Sequence, residues 1–182
     1  GFLSPGSVAD IDQPIVWRFP DMWPMTGGCH YARDCEGYTK SCGQCPELGS
    51  SLPWDMSRIT MARKQRAFPD ADITVAAPST WLAECAREST LFGDRRIEVI
   101  PNGLDTEMFR PWDREIARSI FNLDQDETVI LFGSVGATSD PRKGYDLLTA
   151  TLDQLQDISD NHRLVIFGAS EPADGDDLSH PT

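Results

Sequence analysis

Five short apolar runs punctuate the chain: "PIVW" at 14–17, "DITVAA" at 72–77, "RIEVI" at 96–100, "TVILFG" at 128–133 and "RLVIFG" at 163–168. They are short and rich in β-branched residues, which predicts strands, and their nearly unbroken apolar character predicts burial on both faces, as in a parallel sheet. Between them the apolar spacing becomes helical. Asp55 stands where it can cap a basic helix running to about Phe68, and Ser79 can cap "TWLAECAREST", on which Trp81, Leu82, Cys85 and Ala86 recur at one-turn spacing. Cys85 is thereby expected in the core. Asp113 precedes "REIARSIF", with Ile116, Ala117, Ile120 and Phe121 on one face, and a longer helix just after Lys143 would bury Leu148, Leu152 and Leu155.

Strands alternating with amphipathic helices predict an α/β protein with a mostly parallel sheet. No helix is expected before the first strand or after the last, where the final stretch "EPADGDDLSHPT" is acidic, turn-rich and without period. A parallel sheet needs helices on both faces, so the chain reads as incomplete at both ends.

Composition narrows the classes. A chain of 182 residues that is 40% hydrophobic can bury a core, and a net charge of −13 argues against a nucleic-acid partner, which needs a basic face. Residues 102 to 182 carry 6 Lys and Arg against 16 Asp and Glu, whereas residues 1 to 101 carry 10 against 13. That asymmetry predicts two units meeting near residue 101 and makes Arg142 and Lys143 conspicuous cations in an acidic half. No apolar run approaches the roughly 20 residues that span a bilayer, and no basic leader precedes an apolar core at the start. The expected setting is therefore intracellular and reducing.

Four of the five cysteines, Cys29, Cys35, Cys42 and Cys45, fall within "TGGCHYARDCEGYTKSCGQCP" at 26–46. Cys42-x2-Cys45 has the spacing of a metal knuckle, while Cys29-x5-Cys35 is wider than the usual partner pair. His30, beside Cys29, is a further candidate ligand. A structural zinc on the four thiolates is the leading expectation for a reducing compartment; free thiols in a packed loop and disulfides are the alternatives.

The stretch "VIPNGLDTEMFRP" (99–111), followed by "VILFGSVGATSDPRKGYDLLTATLDQL" (129–155), resembles the family 4 glycosyltransferases. Upstream, "VWRFPDMWPMTGGCHY", "CGQCPELGS" and "VAAPSTWLAE" are similar to the branch acting in exopolysaccharide and lipopolysaccharide synthesis. This resemblance implies a retaining enzyme of the GT-B fold, in which two Rossmann-like domains face each other across a cleft. It further implies that residues 1–101 are the later part of the acceptor domain with the Cys-rich loop 26–46, residues 102–112 the hinge, and residues 113–182 the first βαβ part of the donor domain. The family's two glutamates, seven residues apart, would lie beyond residue 182, so no catalytic residue is assigned and the chain alone is expected to be inactive.

The resemblance also implies a nucleotide-sugar donor, a saccharide or lipid-linked saccharide acceptor and no catalytic metal. A glycine-rich turn between a strand and a helix offers N–H groups to phosphate oxygens. In "FGSVGATSDPRKG" this role would fall to Gly133, Ser134 and Gly136, with Arg142 and Lys143 as the cations on the donor diphosphate. Asp21, Trp23, Thr26, Gly27 and Gly28 would line the acceptor cleft. The sequence departs from the family at Ala137, where an arginine is common, and at Pro20, where a histidine precedes the aspartate matched by Asp21. The expected place is the cytoplasm, with peripheral attachment at the inner face of the membrane as an option, and an exposed sheet edge makes a homo-oligomer an option. The rival expectation is a non-catalytic, zinc-stabilised interaction module or an inactive remnant of a transferase.

Overall fold

The computed structural model describes residues 4–136, 138–155 and 161–168, the side chain of Leu155 excepted. The expectations about Ala137, about burial of Leu155 and about the acidic stretch at 171–182 lie outside the described residues. The chain divides into two compact units, Gly1–Asp105 and Thr106–Thr182.

The first unit is built on a three-stranded parallel sheet with strand order β1-β2-β3, formed by β1 (Ile15–Arg18), β2 (Ile73–Ala77) and β3 (Arg96–Val99). In register, Trp17 lies opposite Val75 and Val75 opposite Ile97. A short helix α1 (Pro5–Ala9) precedes β1, against the expectation of none. Ser4 caps it and Pro5 sits in its first turn, where the missing N–H costs nothing. Helix α2 (Met56–Ala67) connects the long loop after β1 to β2, and α3 (Thr80–Glu88) connects β2 to β3. Both start where their caps predict: the Asp55 carboxylate accepts from the Ser57 and Arg58 amides, and Ser79 Oγ accepts from Leu82 N–H.

The second unit holds α4 (Arg114–Ile120), β4 (Thr128–Gly133), α5 (Tyr145–Leu155) and β5 (His162–Phe167), the two strands running parallel with Val129 opposite Arg163. Mixed α/β architecture with parallel, Rossmann-like units is as the sequence predicts.

Burial departs from the expectation in an instructive way. Only β2, hydrogen-bonded on both sides, is buried along its length; β1 alternates, with Val16 73% exposed, and β3 is largely exposed. An edge strand lacks the second neighbour that would cover it, whatever its composition. Likewise Trp81 on α3 is exposed and Ala83 takes its place beside Leu82, Cys85 and Ala86 in the core, while Ile116, Ile120 and Phe121 of α4 are exposed. The core of the first unit is aromatic and sulfur-rich: Phe19 and Phe92 meet edge to face at 5.7 Å and 6.2 Å from the Trp17 ring, and Met22, Met25 and Met61 fill around them.

Candidate functional site

Helix α2 holds two long loops with one face. Toward the 41–45 loop, the Asp55 carboxylate accepts from Cys45 N–H at 2.9 Å, Ser57 Oγ accepts from Gly43 N–H at 3.0 Å, and Arg58 donates to Ser41 Oγ and to the Cys42 carbonyl. Toward the 23–28 loop, Lys64 donates to the carbonyls of Trp23 and Thr26 and lies 3.9 Å from the Trp23 ring centroid. Positions 57, 61 and 64 recur at helical spacing, so one stripe can reach both loops. Ser57 Oγ and the backbone N–H groups of Cys45, Ser57 and Arg58 donate to Asp55, with Ser57 foremost, and hold its carboxyl well below the usual carboxylate range. Burial pushes the Lys64 amine down to about 8, against the pull of Cys42, Cys29 and Asp21.

The residues assigned to an acceptor cleft separate into two groups. Thr26 and Gly27 are buried and structural: Thr26 Oγ1 donates to the Cys29 carbonyl and accepts from Gly28 N–H, and Gly27 lies against the first turn of α2. Asp21 and Trp23 are half-buried and Gly28 is exposed. Asp21 Oδ1 accepts from Trp23 N–H at 2.7 Å, and its Oδ2 lies 2.8 Å from Nδ1 of the exposed His30, whose ring therefore donates from that nitrogen.

Cys29, Cys35, Cys42 and Cys45 are half-buried free thiols, and Cys85 is a separate, buried one. Burial foremost, then the neighbouring cysteines, pushes the Cys29 and Cys42 thiols up. Among the described residues, no group of three or more His, Cys, Asp or Glu side chains is arranged to clasp an ion as it stands.

In the second unit, the glycine-rich turn after β4 spends its amides internally. Ser134 N–H donates to the Phe167 carbonyl and Gly136 N–H to that of Gly168. Gly133 has no room for a side chain because the Phe167 ring fills that space, and Gly136 has φ +66°. A 3-10 turn at Pro141–Lys143 follows, capped by Asp140, and Gly144 at φ +77° redirects the chain into α5. Arg142 is turned back onto Asp140, its Nη2 2.6 Å from Oδ2, and those hydrogen bonds hold the Asp140 carboxyl down at about 2. Lys143 is exposed at the end of the turn.

Two features escaped the sequence reading. Lys64 looked like one more charge on a basic helix, and nothing local marks it as the buried one. The meeting of His30 with Asp21 joins residues nine apart through the return of a loop, which no periodic pattern encodes.

No protein-family model matches the chain. No solved structure matches it either. Curated relatives do. The chain is 30% identical over 99 residues to a protein of Escherichia coli K12 described as the colanic acid biosynthesis glycosyl transferase WcaC, covering 52% of this chain and 24% of that protein. It is 38% identical over 74 residues to the D-inositol 3-phosphate glycosyltransferase of Segniliparus rotundus, covering 41% and 16%. It is 30% identical over 101 residues to the lipopolysaccharide 1,2-N-acetylglucosaminetransferase of Salmonella typhimurium LT2, covering 56% and 25%. The aligned stretch thus spans about a quarter or less of each of these relatives. Over part of its length, the chain is thus similar to glycosyltransferases of polysaccharide and lipopolysaccharide synthesis, and its parallel α/β units are in keeping with that similarity.

Proposed function

We propose that the chain serves a retaining sugar transfer from a nucleotide-sugar donor, in the synthesis of envelope or exported polysaccharide. The observation that carries this reading is the exposed Lys143, on a tight turn between a parallel strand and its helix, in a chain whose relatives are glycosyltransferases. Cleaving the bond between the anomeric carbon and a diphosphate leaves negative charge on the departing phosphate, which a nearby ammonium stabilises more in the transition state than in the ground state. Because Ser134 and Gly136 have committed their amides and Arg142 braces Asp140, Lys143 is the group on this turn assigned to the phosphates. The turn supplies shape and Lys143 supplies charge.

On the acceptor side, Asp21 orients the His30 imidazole through Nδ1, leaving Nε2 for a sugar hydroxyl of a saccharide or lipid-linked saccharide. His30 would thus restore the imidazole that Pro20 cannot provide. A GT-B arrangement with a hinge at 102–112 and a cytoplasmic site, peripheral to the membrane's inner face, belongs to the same reading. No helix among the described residues is long and apolar enough to cross a membrane.

Titration of the full chain with UDP, GDP and ADP tests the reading. Saturable binding that weakens about tenfold in Lys143→Ala, equivalent to about 1.4 kcal/mol, is the expected result. Absence of any nucleoside diphosphate binding would overturn it in favour of a non-catalytic module.

A further inference from the structure

We propose that Tyr31 and Trp81 form an exposed aromatic platform that takes the rings of an acceptor saccharide next to the Asp21–His30 pair. The inference rests on the proposed function, which gives the His30 imidazole a sugar hydroxyl to meet.

The two rings come from distant parts of the sequence and meet at the surface. Their centroids are 6.2 Å apart and their planes are inclined at 51°. Tyr31 is 44% exposed and Trp81 52% exposed. Both stand on fixed backbone. Met22 N–H donates to the His30 carbonyl at 3.0 Å and Ala32 N–H donates to Met22 Sδ at 3.4 Å, which pins the chain on either side of Tyr31. Trp81 belongs to the first turn of α3, which Ser79 caps. A platform held this way loses little freedom when a ligand settles on it.

Trp81 differs from the other tryptophans of the first unit in what its ring meets. The Trp17 ring packs edge to face against Phe19, Phe68 and Phe92. The Trp23 ring carries the Lys64 amine at 3.9 Å, and the Trp54 ring carries the Arg58 guanidinium at 5.1 Å. Among the described residues, Trp81 has the Tyr31 ring alone as its aromatic or cationic neighbour, and no hydrogen bond engages Tyr31 Oη or Trp81 Nε1. Single exposed aromatics are ordinary, but adjoining ones mark a surface that binds.

A sugar suits this surface. A pyranose ring carries weakly positive C–H bonds on its face and hydroxyls around its rim. The negative faces of the aromatic rings attract the former, while Tyr31 Oη and Trp81 Nε1 can bond the latter. A flat nucleobase lies along one plane only. Successive rings of a glycan are turned against one another, and two planes at 51° match such a turn.

Position supports the same occupant. Strands β1, β2 and β3 run parallel, so their carboxyl ends share one edge of the sheet, the edge at which open α/β sheets take ligands. The loop bearing Asp21, His30 and Tyr31 leaves β1 at that edge, and Trp81 follows β2 there. Tyr31 adjoins His30, their Cα atoms about 3.8 Å apart, so the platform begins one residue from the imidazole.

The test uses the full chain, with maltotriose and the oligosaccharide released from delipidated lipopolysaccharide as probes. Saturation-transfer NMR with irradiation of the aromatic protons reads contact, and NMR titration reads affinity. Transfer to sugar-ring C–H protons is expected for at least one probe. Its affinity should fall about tenfold in Trp81→Ala and in Tyr31→Ala, stay close to wild type in Trp81→Phe and Tyr31→Phe, and be unchanged in Trp54→Ala. UDP and GDP binding should be the same in all five variants. Absence of transfer to either probe would overturn the proposal, as would equal saccharide affinity in wild type and folded Trp81→Ala. Loss of UDP or GDP binding in Trp81→Ala would overturn it in favour of a base-stacking site. Failure of the saccharide arm with Lys143-dependent nucleotide binding intact leaves the proposed function standing, whereas failure of both strikes both. Trp81→Phe and the wild-type transfer spectrum decide the matter even if Trp81→Ala fails to fold.

Discussion

The amine of Lys64 donates to the carbonyl of Thr26 at 2.9 Å, across 38 residues of chain, from a side chain with no exposed surface. Its second bond goes to the Trp23 carbonyl. Lys64→Met would keep most of the stem's packing and leave both carbonyls without this donor. A buried group left without its partner costs about 1–3 kcal/mol, offset in part by removing a buried charge, so a net loss of about 2 kcal/mol is expected. The urea midpoint should fall while the slope stays constant. An unchanged midpoint would mean that desolvating the ammonium costs as much as its bonds return.

The same residue sets a pH dependence. With its amine pushed down to about 8 in the folded chain, against 10.5 for an unperturbed lysine, the unfolded chain binds the extra proton between those values. Its contribution to stability therefore rises with pH across that window and is flat below it. Thiol titration runs the other way, so the informative quantity is the stability of wild type relative to Lys64→Met, which should rise with pH inside that window and stay constant below it.

Gly27→Ala should detach the 26–29 loop from α2. The new methyl would overlap the Ser57 carbonyl oxygen, with the carbonyl carbon 2.8 Å away, and that backbone belongs to the capped first turn of the helix. Overpacking against backbone costs about 1–3 kcal/mol. Gly103→Ala meets nothing within 4 Å and should stay within about 0.5 kcal/mol of wild type in the same melt. Equal melting of the two variants would contradict the close approach.

Asp140 titrates at about 2 because Arg142 hydrogen-bonds it. A carboxyl held below its ordinary 3.8 contributes stability that is fully present above that value and is lost as pH falls through about 2. Arg142→Gln should raise the carboxyl midpoint toward 3.8, seen by carbon-detected NMR. It should also weaken nucleotide binding less than Lys143→Ala does, because Arg142 shapes the turn while the proposed function gives the phosphate to Lys143.

Helix starts were legible because capping is local: Asp55, Ser79 and Asp113 each accept amide hydrogen bonds two or three residues downstream. The strand segments were legible for a similar reason, since β-branched runs bounded by turn residues announce themselves. Their burial was not. Val16 and Phe121 are as apolar as Val75, yet only Val75 has strands on both sides, and coverage is a property of neighbours.

By itself the sequence determined the alternation of parallel strands and helices, the concentration of cysteine at 29–45 and the glycosyltransferase resemblance, all of which reside in order and spacing. Tertiary structure alone decided that Lys64 is the buried cation, that His30 meets Asp21, and that Ser134 and Gly136 spend their amides on the carbonyls of Phe167 and Gly168 at the end of β5. Each of these depends on which distant backbone groups come within hydrogen-bonding distance. A pattern along one chain carries no record of that distance until the loops close.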